Sequence, residues 1–83
     1  MYTFSNNISW QKINDYIYIV NESTGQIYYL DHINKYIWEA IDNSIEISSV
    51  IQELSDTYNL NNAQLNKDVF SFLIELQKEG LLL

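Results

Sequence analysis

The side chains that could do chemistry in this sequence are few and scattered. His32 is the single histidine of the chain and there is no cysteine, so neither a Cys–His nucleophile pair nor a thiolate metal site can form. The carboxylates that stand close in sequence, Glu53 with Asp56 and Glu75 with Glu79, fall on solvated helix faces and lack the setting of an acid/base couple. We therefore expect no catalytic residue and no metal ligand set.

Glycine usage and charge exclude further classes of function. The two glycines, Gly25 and Gly80, stand far apart, so a glycine-rich phosphate loop is excluded and no cofactor is expected. Eleven acidic and four basic residues give a net charge of −7, which argues against phosphate-backbone binding. The start, MYTFSNNISW, lacks the basic and apolar regions of a signal peptide, and no segment is long enough to span a membrane. These features predict a single cytoplasmic domain, residues 1–83, that binds neither nucleic acid nor membrane.

The first part of the chain predicts a small antiparallel sheet. Ile8–Ile13 alternates weakly, and Tyr16–Val20 consists of β-branched and aromatic residues, the pattern of a strand. Gly25, within the polar segment after Val20, can adopt a positive φ, so Ile27–Leu30 should return beside Tyr16–Val20 as the third strand of a meander. Met1–Asn7 is a candidate frayed end.

The second part predicts three helices. Asp31 is a favoured N-cap residue, and the apolar spacing after it predicts a first helix over about Ile33–Ile41. A second helix should cover Ile47–Tyr58. The third should begin after Asn61, which forms a capping box with the residue three positions on, and end at Glu79, before a C′ glycine.

The third helix carries two apolar surfaces. Its core stripe consists of residues with ordinary helical spacing: Leu65, Val69, Phe72, Leu73 and Leu76. Phe70 and Ile74 lie off this stripe and form a second ridge, one turn apart. The ridge is either covered by other parts of the same chain, such as Phe4, Trp10 or the C-terminal leucines, or it lines a groove for a partner peptide.

The order and spacing of these elements resemble the PqqD-like family, also called RiPP precursor peptide recognition elements. The resemblance covers about residues 16–82. It rests on a strand–helix step, an Ile-Trp-Glu helix centre, a second helix ending in Tyr, a third helix with Asp-Val-x-x-Phe-Leu-x-x-Leu, and a Gly-Leu-Leu end. In this chain those motifs are Tyr28–Asp31, Ile37–Glu39, Ile47–Tyr58, Asp68–Leu76 and Gly80–Leu82.

The resemblance implies an α+β, winged-helix-like fold, with a three-stranded antiparallel sheet followed by three helices. It also implies a non-enzymatic function: binding the leader segment of a ribosomally made precursor peptide. The leader would add as a strand to the third strand and lie between that strand and the third helix. A separate enzyme, such as a radical SAM enzyme, a leader peptidase or a cyclase, would then modify the peptide. The peptide-binding residues implied are Ile27, Tyr28, Tyr29, Leu30, Lys67, Phe70, Leu73, Ile74 and Gln77.

The alternative function is that of a winged-helix DNA-binding regulator, which shares this architecture. Such a regulator needs basic residues on its recognition helix. The third helix offers two lysines, Lys67 and Lys78, against three carboxylates, Asp68, Glu75 and Glu79. The charge pattern therefore favours a peptide partner over DNA. A further alternative is an adaptor outside RiPP biosynthesis or a domain cut from a larger enzyme.

Overall fold

The first half of the chain forms the antiparallel meander that its strand pattern predicts. In the computed structural model, which describes residues 2–83, the strands are β1 (Ile8–Ile13), β2 (Tyr16–Asn21) and β3 (Ile27–Leu30). They lie in the order β1-β2-β3, with Ile17 opposite Leu30 and Ile19 opposite Tyr28. Both outer strands therefore have one edge that no other strand of the sheet pairs with.

The turn between β2 and β3 contains a glycine bulge. Gly25 has a φ of 76°, and its N–H donates to the Asn21 carbonyl at 2.7 Å while the Asn21 N–H donates to the Gln26 carbonyl at 2.9 Å. This arrangement places two residues, Gly25 and Gln26, opposite Asn21. Gly25 adopts the left-handed conformation, which other residues adopt only with strain. The bulge fixes the register in which β3 returns along β2.

The second half of the chain forms three helices: α1 (His32–Asp42), α2 (Ile47–Tyr58) and α3 (Asn62–Lys78). The predicted capping box of α3 is confirmed, because the Asn61 side chain accepts a hydrogen bond of 3.0 Å from the Gln64 N–H. Asp31 occupies the N-cap position of α1, but its side chain makes no capping hydrogen bond, contrary to expectation. The next residue, His32, has a φ of 47°. The chain therefore passes from strand to helix through the left-handed conformation of His32, without a side-chain cap.

The core lies between the inner face of the sheet and the three helices. Four residues of the stripe predicted on the third helix, Leu65, Val69, Leu73 and Leu76, are buried, together with Trp38 of α1 and Leu54 of α2. Phe72, the fifth residue of that stripe, is partly buried and packs against the same cluster. The inner face of β2 adds Ile17 and Ile19, which are both fully buried. Because side chains alternate along β2, one row of them faces the core and the other row faces solvent.

The two ends of the chain pair with each other. Phe4 forms an antiparallel bridge with Leu82, and the phenyl ring of Phe4 stacks on the indole of Trp38 at 4.2 Å between centroids. Leu81 and Leu82 are buried, as their apolar character predicts, whereas Leu83 is exposed. The N-terminal segment from residue 2 is thus part of the packed fold, and the interpretation of it as a frayed end is wrong.

Candidate peptide-binding site

The free edge of β3 presents unpaired backbone groups. Hydrogen-bonded and non-bonded residue pairs alternate along an antiparallel ladder. Asn21 is bonded to Gln26, so the next bonded position on β3 is Tyr28, opposite Ile19. Ile27 and Tyr29 consequently direct their N–H and C=O groups away from β2, toward the open edge. An extended peptide could form hydrogen bonds at these two residues.

The side chains of β3 alternate between solvent and core. Those of Ile27 and Tyr29 lie on the outer face of the sheet, where they are 67% and 66% exposed. Leu30 is buried and Tyr28 is half-buried on the inner face. A peptide on this edge could therefore contact the side chains of Ile27 and Tyr29 directly, while the buried side chain of Leu30 packs β3 against the core.

Tyr28 links β3 to the C-terminal end of α3. Its hydroxyl donates to Glu79 Oε2 at 2.8 Å. The Asn21 side-chain amide donates to the Glu79 carbonyl at 3.2 Å. This hydrogen bond joins the same helix end to the end of β2. The hydrogen bond to Glu79 raises the pKa of Tyr28, and desolvation raises it further. These contacts place the end of α3 beside the start of β3.

The face of α3 that carries Glu79 also carries Phe72. The two residues are seven positions apart, so they lie within about 20° of each other around the helix axis. Asp68 and Glu75 lie within about 40° of Glu79 on the same face. The helix flank on the β3 side therefore combines one partly buried aromatic ring with three carboxylates. These side chains form what we call the α3 wall: Asp68, Phe72, Glu75 and Glu79.

Phe70 and Ile74 lie on another face of α3 than the α3 wall, and their expected contact with a peptide stays a prediction. Each stands two positions from Phe72, about 160° away around the helix. Phe70 instead borders a cleft of about 440 Å³ together with Tyr2 and Ile45. Phe70 therefore faces the N-terminal segment and the α1–α2 connection, and the side chains of Phe70 and Ile74 are partly exposed, at 42% and 53%.

Three further residues of the expected set also fall outside the cleft between β3 and α3. Leu73 is completely buried, so it belongs to the core and its expected contact with a peptide is corrected. The side-chain amide of Gln77 donates to the Leu83 carbonyl at 2.9 Å. Gln77 therefore lies beside the paired ends of the chain. Lys67 is exposed and stands about 140° from Phe72 around the helix.

The sequence alone could not identify the α3 wall. The spacing of Phe72 fits the core stripe and so predicts a core residue, and Glu79 has the pattern of a solvated carboxylate. The ring of Phe72 lies at the margin of that stripe, where a side chain is partly buried and partly accessible. A weak signal was present: Asp68, Phe72 and Glu79 share one helical face, and two of the three are charged.

Among residues 2–83, no cluster of three His, Asp or Glu side chains is positioned to hold a metal ion. His32 is exposed, and its Nε2 lies 3.8 Å from Asp31 Oδ2. Within the same residues, no helix is both long and apolar enough to cross a bilayer.

Two solved structures share this fold. The structure described as "TbiB1 in Complex with the TbiA(beta) Leader Peptide" has a TM-score of 0.87 and 20% sequence identity, and the match covers 95% of this chain and 92% of the other. The structure described as "Lasso peptide synthetase B1 complexed with the leader peptide" has a TM-score of 0.91 and 16% identity, over 99% and 96% of the two chains. At these identities the likeness concerns the fold.

A search of the curated proteins finds no match. The model of the family described as "Coenzyme PQQ synthesis protein D (PqqD)" does match, over residues 17–82. This range runs from the second strand to the buried C-terminal leucines and includes both the free edge of β3 and the α3 wall. With most of its length matched and the meander and three helices in the expected order, the chain belongs to the PqqD family.

Proposed function

We propose that this domain binds the leader segment of a ribosomally synthesised precursor peptide and presents it to a separate modifying enzyme. The leader adds to the sheet as a fourth strand and forms hydrogen bonds with Ile27 and Tyr29. The observation that carries this proposal is the open edge of β3, where the backbone groups of both residues point away from β2. Unpaired strand edges are the sites at which peptides join a sheet.

The opposite edge of the sheet, on β1, is less suited to a peptide. β1 carries Lys12, whose ammonium group lies 2.8 Å from Glu39 Oε1 on α1. Charged side chains, lysine above all, are a means by which proteins discourage pairing at a strand edge. β3, with the sequence IYYL, carries no charge, and α3 lies beside it. These differences favour β3 as the edge that receives the leader.

The α3 wall supplies the selectivity that backbone pairing lacks. Backbone hydrogen bonds hold any extended peptide, so discrimination comes from pockets for alternate side chains. Phe72 offers an apolar contact, and three carboxylates lie on the same face of the helix. Together with the net charge of −7, this composition favours leaders that are neutral to basic at the residues that face α3.

Membership of the PqqD family and the fold shared with two leader-peptide complexes support a binding function. The domain itself catalyses no reaction and acts in the cytoplasm as a recognition element. The chemical step belongs to the partner, which is an enzyme such as a radical SAM enzyme, a leader peptidase or a cyclase. The precursor is delivered to this enzyme by its leader.

A proline at Ile27 tests the strand pairing. Ile27 is the first residue of β3, and its N–H faces the open edge, a position at which a strand tolerates proline. The probe is a peptide selected on the parent domain from a displayed library of random sequences. Loss of one backbone hydrogen bond costs about 0.5–1.5 kcal/mol, so Ile27→Pro should weaken binding roughly two- to tenfold. Ile27→Ala, which keeps the N–H, is the matched control.

Amide hydrogen exchange gives the second readout of this experiment. Peptide binding should slow exchange at the amides of Ile27 and Tyr29 in the parent. A peptide that binds Ile27→Pro and Ile27→Ala equally, with no change in exchange along β3, would locate the binding site elsewhere. The partner enzyme is tested separately, since a short precursor reading frame and a modifying enzyme should be encoded beside this chain.

A further inference from the structure

The side of α3 that faces away from the α3 wall combines the second ridge with two lysines. Lys67, Phe70 and Lys78 all lie within about 40° of Ile74 around the helix axis. All four side chains are exposed to solvent. Along the helix they follow one another in the order Lys, Phe, Ile, Lys. We call this surface the lysine stripe: Lys67, Phe70, Ile74 and Lys78.

The lysine stripe differs in charge from the rest of the surface. The chain carries eleven acidic and four basic residues, and two of the four basic residues lie on the stripe. The carboxylates of the α3 wall stand about 100–140° from Ile74 around the helix. Glu46 lines the cleft that Phe70 borders, and its carboxylate accepts a hydrogen bond of 3.3 Å from Ser48. The stripe is therefore an apolar ridge with a positive charge at each end, on a protein that is otherwise strongly acidic.

The fold gives partners to the other two lysines of the chain. The ammonium group of Lys12 lies 2.8 Å from a carboxylate oxygen of Glu39. That of Lys35 lies 5.0 Å from the centre of the Tyr36 ring. Among residues 2–83, no carboxylate oxygen lies within 4.0 Å of either lysine of the stripe. Exposed apolar surface bordered by polar groups is typical of protein interaction sites, and here the two bordering cations are available to a partner.

We infer that the lysine stripe binds an amphipathic helix of another protein, with apolar residues between two carboxylates. The two lysines are eleven positions apart, which is about 16 Å along α3. A helix packed lengthwise on α3 has the same rise per residue, so carboxylates about three turns apart would meet both lysines. The apolar residues between them would cover Phe70 and Ile74. Elsewhere the net charge of −7 repels such a helix, so the charge pattern selects this face.

A second copy of this chain does not fit the stripe. In a two-fold symmetric pair the same patch meets itself. If the two α3 helices ran antiparallel, Lys67 of each copy would lie near Lys78 of the other. If they ran parallel, each lysine would face its own equivalent. Like charges meet in both arrangements, so charge complementarity requires a different protein, with acidic residues at these positions.

The lysine stripe and the edge of β3 are separate surfaces. Phe72, in the α3 wall, stands about 160° from Ile74 around the helix. A helix bound to the stripe would therefore leave the β3 edge open, and the domain would hold a leader and a second protein at the same time. This inference goes beyond the proposed function and does not depend on it.

A displayed library of helices gives the first test. The library consists of small helical domains with one helix face randomised, selected on the parent domain and depleted of clones that bind Ile74→Asp. Selected clones should carry Asp or Glu at two positions about three turns apart, with apolar residues between them. If no clone remains, or if the remaining clones lack this acidic pair, the inference is overturned.

Two equally exposed residues provide matched variants for a selected clone. Ile74 is 53% exposed on the stripe and Tyr58 is 52% exposed on α2. Ile74→Asp should weaken binding by about tenfold or more, the loss expected at the centre of an interface, whereas Tyr58→Asp should leave it unchanged. Circular dichroism checks that both variants are folded. Equal losses for the two variants would show that the clone does not bind the stripe.

Charge reversal tests the role of the lysines. Lys67→Glu should weaken binding of the clone roughly three- to tenfold, and the loss should shrink at high salt. Lys35→Glu makes the same change of net charge on α1 and should have little effect. Replacing the facing carboxylate of the clone by Lys should restore binding to Lys67→Glu. Equal effects of Lys67→Glu and Lys35→Glu, or no restoration, would overturn the pairing.

The proteins encoded beside this chain give the final test. Each is purified and its affinity is measured for the parent, for Ile74→Asp and for the conservative variant Ile74→Leu. One of them should lose about tenfold on Ile74→Asp and little on Ile74→Leu. The inference is overturned if none behaves in this way, or if sedimentation shows a dimer of the domain that Ile74→Asp dissociates.

The leader site supplies a control for the whole series. A peptide that slows amide exchange at Ile27 and Tyr29 should bind the parent and Ile74→Asp equally well. If Ile74→Asp weakens this peptide as much as it weakens the helical clone, the stripe belongs to the leader site and the inference fails, while the proposed function stands. If no peptide slows exchange along β3, the proposed function fails, and the stripe is judged on the helical clones alone.

Discussion

The hydroxyl of Tyr28 donates a 2.8 Å hydrogen bond to the carboxylate of Glu79, a residue that lies 51 positions further along the chain. This contact closes one end of the cleft between β3 and α3. Because the helix end is held there, the α3 wall lies on the side of α3 that faces the edge strand. One side-chain pair therefore helps to orient the whole candidate site.

The Tyr28–Glu79 hydrogen bond should be visible in a pH titration. It raises the pKa of Tyr28 above the ordinary value of 10.0, so its contribution to stability is complete below about pH 10 and is lost as the pH rises through the folded-state pKa. The phenolate absorbance of the parent minus that of Tyr28→Phe isolates this residue. Glu79→Gln should bring the pKa back toward 10. An identical difference titration in the parent and Glu79→Gln would contradict the assignment.

Leu73 and Ile74 are sequence neighbours with opposite environments. Leu73 is completely buried, whereas Ile74 is 53% exposed. Leu73→Ala should lower the free energy of unfolding by about 2–5 kcal/mol, because it leaves a cavity in the core. Ile74→Ala, the control, should cost much less. Urea unfolding of both variants measures the difference, and similar midpoints would show that the core is wrongly located.

Phe4 should stabilise the fold although it lies near the start of the chain. Its ring stacks on Trp38 at 4.2 Å and meets Trp10 edge-on at 5.8 Å. Aromatic pairs contribute about 0.5–1.5 kcal/mol beyond the area they bury, so Phe4→Ala should lower the melting temperature and change the tryptophan fluorescence. Phe70→Ala, which removes a more exposed ring, should do neither to the same extent. Equal melting temperatures for the two variants would be inconsistent with this packing.

The carboxylates of the α3 wall should govern the charge preference of the site. For a basic peptide selected from the library, Glu75→Lys should slow association and reduce its dependence on salt, since electrostatic complementarity acts mainly on the association rate. Glu53→Lys makes the same change of net charge on α2 and should have a smaller effect. Stopped-flow binding at several salt concentrations measures both. If the two variants associate equally slowly, net charge alone, and not the wall, sets the preference.

Local sequence patterns determined the secondary structure of this protein. Alternating β-branched and aromatic residues specify β2, and the bounds of α2, Ile47–Tyr58, agree with the apolar spacing of its sequence. Asn61 caps α3, and Gly80, with a φ of 77°, follows its end. Each of these features depends on residues within a few positions of one another, which is why composition and spacing were sufficient to predict them.

Tertiary structure alone decided which flank of α3 faces β3. The periodicity of α3 reveals a core stripe with a flank on each side, but it carries no information about which flank meets the sheet edge. That choice depends on contacts between distant residues: Tyr28 with Glu79 on one side, and Gln77 with Leu83 on the other. The exposed ridge of Phe70 and Ile74 was therefore visible in the sequence, while its position away from β3 required the fold.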